Sequence, residues 1–245
     1  IEISRFWASI AEMDESDGRY HIEGVMGPDE FHEKYPDAPN DAGGFRDNAY
    51  TNVMACWLMH KTIETFEYRP SAVQETLRDR LGFRDSEMDR WRDITERMAL
   101  VIDENGLISQ FDGFLELSEL DWDAYREKYD NIRRMDRILK AEDDTPNRYQ
   151  VIKQADVLMM FYLLAPEQVA AVIDRMGYPV DDSTELLRTN FEYYAPRTSH
   201  GSTLSWVVHA AILEDLHTHK DQQWRWDVEC LKSDIFDTQG GTTLE

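Results

Sequence analysis

Apolar residues recur at intervals of three and four along most of this chain. After the polar stretch "YPDAPNDAGGFRD", Ala49, Val53, Met54, Trp57, Leu58 and Phe66 keep that spacing. This predicts a long amphipathic helix from about Asp47 to Tyr68. The same period predicts helices over Ser71 to Leu81, Asp85 to Leu100, Trp122 to Ala141, Arg148 to Leu164, Pro166 to Arg175, Asp182 to Tyr194, Ser202 to Leu216 and Gln222 to Lys232. The opening "IEISRFWASIAEM" reads as part of another helix, and only "LISQFDGFL", Leu107 to Leu115, alternates like a strand. Roughly eight or nine helices without βαβ alternation predict an all-α layer architecture, a bundle or a helical toroid. No exact internal repeat is present.

At 245 residues with 42% hydrophobic residues, the chain can bury a sizeable core, and residues 1–245 read as a single domain. Its 49 Asp and Glu against 26 Lys and Arg give a net charge of -23. Such a field repels nucleic acid and anionic membrane surfaces, so neither is expected as a partner. There is no basic-then-apolar leader and no apolar run long enough to span a bilayer. Cys56 and Cys230 lie in apolar or amphipathic runs and are expected to be reduced, buried thiols, which fits a cytoplasmic location. Because the chain opens on Ile1 inside a helical pattern, it is expected to be a piece of something longer.

Two stretches concentrate chemistry. The first, "GVMGPDEFHEKYPDAPNDAGGFRDNAYTN", is a long polar connection of a kind uncommon in compact helical domains unless it has a task. Asp29 and Glu30 follow a Gly-Pro turn, with His32 and Glu33 close behind. One reading is a surface turn with an acid capping a short helix. Another is a metal site, since all four are ligand types, although the order is not His-Glu-x-x-His and no second cluster completes it. A third is a general acid: a carboxyl among Tyr20, Phe31 and like charges is driven toward its protonated form, as glycosidic bond cleavage requires.

The second stretch is "PRTSHGSTLSWVVHAAIL", in which Leu204, Val207, Val208, Ala211 and Ile212 define a helical face beginning after Gly201, Ser202 and Thr203. No acid occurs from Tyr193 through Leu213, and the first helical turn carries hydroxyls where Asp or Glu would complement the dipole. Free N–H groups, two hydroxyls, His200 and Arg197 are the elements of an anion site, with Gly201 admitting the backbone closely; an ordinary Ser or Thr N-cap is the plainer reading. In "RYQVIKQADVLMMFYLLAPEQ", Val151, Ala155, Leu158 and Tyr162 share a predicted helical face, while Lys153 and Gln154 carry long donors suited to sugar hydroxyls. Trp224 and Trp226 could stack on a sugar, but their spacing points them apart. Gly240-Gly241 in "DTQGGTT" is a weaker signal.

Taken in order, "GVMGPDEFHE", "DNAYTN", "VIKQADVLMMFYL", "TSHGSTLS" and "DTQGGTT" resemble the second half of the catalytic domain of glycoside hydrolase family 65. The resemblance implies an (α/α)6 barrel, here a partial one, and a general acid at Glu30. It implies that Lys153 and Gln154 bind the glucosyl unit, that Asp29, His32 and Glu33 shape the loop and contact the leaving sugar, and that His200, Gly201, Ser202 and Thr203 hold phosphate. Thr203 stands where many members carry Ser, which keeps a hydroxyl. If phosphate is the nucleophile it arrives as an anion and needs no catalytic base, so one carboxyl suffices. The implied reaction converts an α-linked glucose disaccharide and inorganic phosphate to β-glucose 1-phosphate and free sugar with inversion. No metal or organic cofactor is implied, and a homodimer is compatible. The family's Trp-Asp sugar-binding tract has no counterpart here, so the chain alone is expected to be inert or incomplete. The rivals are a hydrolase of the same family, such as an acid trehalase, and a non-catalytic helical scaffold.

Overall fold

A computed structural model describes residues 1–39 and 41–216, together with 224, 226, 228, 231 and 232. Among these, ten α-helices carry the fold: α1 (Glu2–Ile10), α2 (Ala49–Glu67), α3 (Ser71–Leu81), α4 (Asp85–Arg97), α5 (Trp122–Lys128), α6 (Met135–Ala141), α7 (Asp156–Leu163), α8 (Pro166–Arg175), α9 (Ser183–Tyr194) and α10 (Thr203–Asp215). The predicted all-α class holds. Its one regular sheet among the described residues is a short hairpin of β1 (Glu12–Asp14) and β2 (Arg19–His21).

Helix α2 is the central element. Asn48 starts it by accepting hydrogen bonds from Thr51 N at 3.0 Å and Thr51 Oγ1 at 2.9 Å, which satisfies the first turn. Ala49, Val53, Cys56, Met59, Ile63 and Phe66 are all buried, because α1, α4, α7 and α8 pack around it. Cys56 is a free, fully buried thiol whose pKa burial pushes far up, leaving it inert. Cys230 lies outside the described residues. No single helix among the described residues is long and apolar enough to cross a membrane.

Three predicted elements differ. "LISQFDGFL" forms no strand. Ile108, Ser109, Gln110 and Phe111 are buried in succession on both sides, and the backbone bonds singly to several neighbours, as in Ser109 N to Val101 O at 2.8 Å and Asp112 N to Arg46 O at 3.0 Å. Trp122 to Ala141 is two helices, broken where Tyr129 turns extended. Arg148 to Leu164 is helical only from Asp156. The β-branched pair Val151-Ile152 is held extended, with Ile152 N bonded to Arg197 O at 3.1 Å and Ser199 N to Ile152 O at 2.8 Å. Tertiary pairing thus overrides the helical period there. It also places Lys153 and Gln154 in a bend between the Ile152–Thr198 bridge and the start of α7, rather than on a helix face. Most of the Gln222 to Lys232 tract falls outside the described residues.

Candidate active site

The Gly-Pro turn before Glu30 is set by its interior neighbours. Asp29 is turned inward and almost fully buried. Its Oδ1 accepts from Lys153 N at 2.9 Å and Phe31 N at 3.4 Å, and its Oδ2 meets His32 Nδ1 at 2.8 Å and accepts from Gln110 Nε2 at 2.9 Å. The other nitrogen of His32 reaches Tyr149 O at 2.9 Å, and its ring meets Phe111 and Phe114 edge-on at 5.4 and 5.5 Å. Asp29 and His32 therefore spend their polar atoms on the protein, facing away from any sugar beside Glu30. Glu33 is exposed and is fixed through its backbone, N to Asn147 Oδ1 at 2.9 Å.

With Asp29 locked inward, Glu30 projects outward with its side chain 71% exposed, and Lys153 Nζ lies 2.6 Å from its Oε2. The expected surroundings of Glu30 need correcting. Tyr20 donates its hydroxyl to Asp93 at 2.7 Å, Phe31 packs with Leu120, Met135, Leu139 and Val151, and the Asp29 carboxyl faces the interior. The immediate electrostatic partner of Glu30 is a cation.

Gln154 joins this turn to the second stretch. It donates from Nε2 to Pro28 O at 2.8 Å and accepts from Ser202 Oγ at 2.8 Å. Ser202 is the N-cap residue of α10, yet its hydroxyl makes no capping bond and no acid lies in the first turn. The plain N-cap reading therefore fails for Ser202. Thr203 is the first residue of α10. Gly201 lies where a Cβ would sit 2.7 Å from Arg133 O, 3.5 Å from Arg134 Cδ and 3.6 Å from Lys153 Cγ, so only glycine admits this close approach. Lys153 thus bonds the acid turn at one end, and its stem borders the space beside Gly201 that a Cβ would enter.

Two expected contributors differ. Arg197 is drawn off to Glu119 and to Tyr193 O, with its guanidinium 3.9 Å from the Tyr193 ring centroid. His200 stacks on Trp206 at 4.3 Å and pairs with Ser205 Oγ at 3.1 Å. Burial first, then His209 and Arg133, push its pKa down to about 2, so it serves as a neutral hydrogen-bonding ring rather than a cation. Trp226 stacks on His209 at 4.9 Å, which makes it a packing residue, whereas Trp224 is exposed. "DTQGGTT" lies outside the described residues.

Sequence reading missed the interior support of this site. Asp156 opens α7 and is buried beneath the Gly-Pro turn, where desolvation and the neighbouring Asp29 charge raise its pKa well above the usual carboxylate range. In sequence it lies midway along the predicted Arg148 to Leu164 helix, with nothing to mark it. Asn48, which donates to Asp156, and Gln110, which donates to Asp29, carried no chemical signal beyond the motif around Asn48. Arg134, against Gly201, forms a bidentate pair with Asp136 at 2.7 and 2.9 Å.

Comparison with known proteins gives the family. The model of the glycosyl hydrolase family 65 central catalytic domain matches residues 1–245. An uncharacterized glycosyl hydrolase of Mycobacterium tuberculosis is 46% identical over the whole chain, which covers 18% of that protein. The trehalose 6-phosphate phosphorylase of Lactococcus lactis is 41% identical over the whole chain and 30% of its own length. The kojibiose phosphorylase of Halothermothrix orenii is 31% identical over 88% of the chain and 24% of its own. In structure, a protein assigned as a candidate kojibiose phosphorylase from the human microbiome superposes with a TM-score of 0.73 at 25% identity, over 98% of this chain and 29% of that one. The chain therefore spans less than a third of the length of these relatives, and its helices correspond to a partial all-α barrel. On the family match over its full length, the chain belongs to glycosyl hydrolase family 65, within the central catalytic domain.

Proposed function

We propose that this chain carries the acid and the phosphate seat of an inverting disaccharide phosphorylase. The observation that supports it best is the placement of Lys153, whose Nζ lies 2.6 Å from Glu30 and whose Cγ is 3.6 Å from the point a Cβ on Gly201 would occupy. Acid and anion seat then flank one side chain, as transfer of a single glucosyl unit between them requires.

In this reading the glucosyl unit binds between Glu30 and the start of α10, engaging Lys153 and Gln154. A sugar that takes up the Lys153 ammonium and covers the Glu30 carboxyl favours the acid form the reaction needs. Glu30 gives its proton to the glycosidic oxygen, and the bond from that oxygen to C1 breaks. A phosphate oxygen, held by the Gly201-Ser202-Thr203 backbone and hydroxyls with His200 alongside, attacks C1 from the opposite face. The products are free sugar and β-glucose 1-phosphate. The proton released from hydrogen phosphate restores Glu30, so the cycle needs no second protein carboxyl and no metal or organic cofactor. Asp29, His32 and Glu33 shape the turn that carries the acid.

The substrate is an α-linked glucose disaccharide, and trehalose 6-phosphate and kojibiose, for which the relatives are named, join maltose and trehalose in the panel to be tried. The test is Glu30→Gln in the whole protein carrying this chain. Loss of the general acid lowers disaccharide kcat by about 10²- to 10⁴-fold. Full activity in that variant refutes the assignment.

A further inference from the structure

We propose that Asp156, which touches no reacting atom, is the positioning residue that holds Glu30 in its working place. The inference rests on the reading of Glu30 as the acid. Asp156 Oδ1 accepts the Asp29 N–H at 2.5 Å, and Oδ2 accepts Asn48 Nδ2 at 2.6 Å. Asn48 is itself fixed as the N-cap of α2, and Asp156 is the first residue of α7. One carboxyl thus ties the turn before Glu30 to the starts of two core helices.

Two further contacts narrow the geometry. A Cβ at Gly27 would lie 1.7 Å from Asp156 Oδ2, so the carboxyl fits closely against one end of the turn and bonds the other end at Asp29. Gln110 spans both acids, giving Nε2 to Asp29 Oδ2 at 2.9 Å and accepting Asp156 N at Oε1 at 3.2 Å. With Asp29 held inward by these bonds, the next side chain must point outward, which is where Glu30 meets Lys153. Burying two carboxyls side by side opposes stability. A turn that needed only to be filled would be served by an apolar or amide side chain. Retaining the acid fits a demand for placement, since a displacement of about 1 Å at a reacting group costs about 10²-fold in rate.

The experiment separates placement of the acid from general support. In the whole protein, Asp156→Asn, Asn48→Ser and Glu30→Gln are assayed with phosphate against two substrates: a disaccharide from the panel above, and α-glucosyl fluoride. With the fluoride, C1–F breaks, C1–O to phosphate forms, and fluoride departs as the anion without a proton from Glu30. Asn48→Ser keeps a good helix cap while removing the amide that braces Asp156, and so provides a second reading if Asp156→Asn does not fold. Misplacement of the acid lowers disaccharide kcat by about 10- to 100-fold, with KM changed little, and leaves the fluoride rate within about twofold. Equal losses on both substrates, or no loss on the disaccharide, overturn the role of Asp156. Full disaccharide activity in Glu30→Gln, by contrast, brings down the underlying assignment of the acid.

Discussion

Ser202 Oγ donates to Gln154 Oε1 at 2.8 Å, and the same amide donates from Nε2 to Pro28 O at 2.8 Å. The start of α10 and the turn before Glu30 are therefore held by one buried side chain. Ser202 gives up the usual capping role to make this link, so its hydroxyl is placed by the turn rather than by its own helix.

Replacing Gln154 by Leu keeps the volume but leaves Ser202 Oγ and Pro28 O without their partner, at about 1–3 kcal/mol for each group left unsatisfied. Both loops shift. In the whole enzyme the KM values for phosphate and for the disaccharide are expected to rise together, each about tenfold or more. Ser202→Ala removes the hydroxyl at the α10 start but leaves the Gln154 bond to Pro28 in place, so the phosphate KM rises more than the disaccharide KM. Initial-rate kinetics with each substrate varied in turn checks both.

Gly27→Ala introduces a methyl that would overlap Asp156 Oδ2 at 1.7 Å and Asn48 Nδ2 at 2.6 Å. Neither neighbour can move without breaking a buried hydrogen bond. The expected loss is about 1–3 kcal/mol of stability, read from urea unfolding of this chain. A midpoint equal to that of the unsubstituted chain contradicts the described packing.

His209 is fully buried, and its Nδ1 lies 2.6 Å from Ser205 O. Burial pushes its pKa down to about 4 from an ordinary 6.5, a shift only partly offset by the bond to Ser205. The folded state therefore keeps the ring neutral where the unfolded chain takes up a proton. Its contribution is complete above pH 6.5 and is lost as the pH falls toward 4, to an extent of about 3 kcal/mol. His209→Asn retains the donor without the titration, so unfolding free energies measured across this window should fall less steeply with acid than in the unsubstituted chain. Equal slopes contradict this origin of acid sensitivity.

Much of the fold was legible because long amphipathic helices carry their own signal. Ser71–Leu81 and Pro166–Arg175 match the predicted ranges at both ends, the latter helped by Pro at its first position. The hairpin of β1 and β2 escaped notice because three-residue strands are too short to show a period. The 149–155 segment was misread because its partners, residues 118 and 198, are remote in sequence. At the site, Glu30, Lys153, Gln154 and Ser202 stood out by type and order. The supports did not: Asp156 falls inside a tract predicted helical from Arg148, and Gln110 sits within a tract read as a strand. Their meaning comes from burial and long-range bonds that composition cannot display.

The central claim is that phosphate, seated at the start of α10, attacks a glucosyl unit whose bond to the leaving sugar is broken with a proton from Glu30. It is tested most directly by supplying the whole protein with each α-linked disaccharide of the panel, with and without inorganic phosphate, and following the anomeric product by NMR. The account predicts β-glucose 1-phosphate from one of these substrates and negligible turnover without phosphate. Glucose released at an undiminished rate in phosphate-free buffer contradicts it.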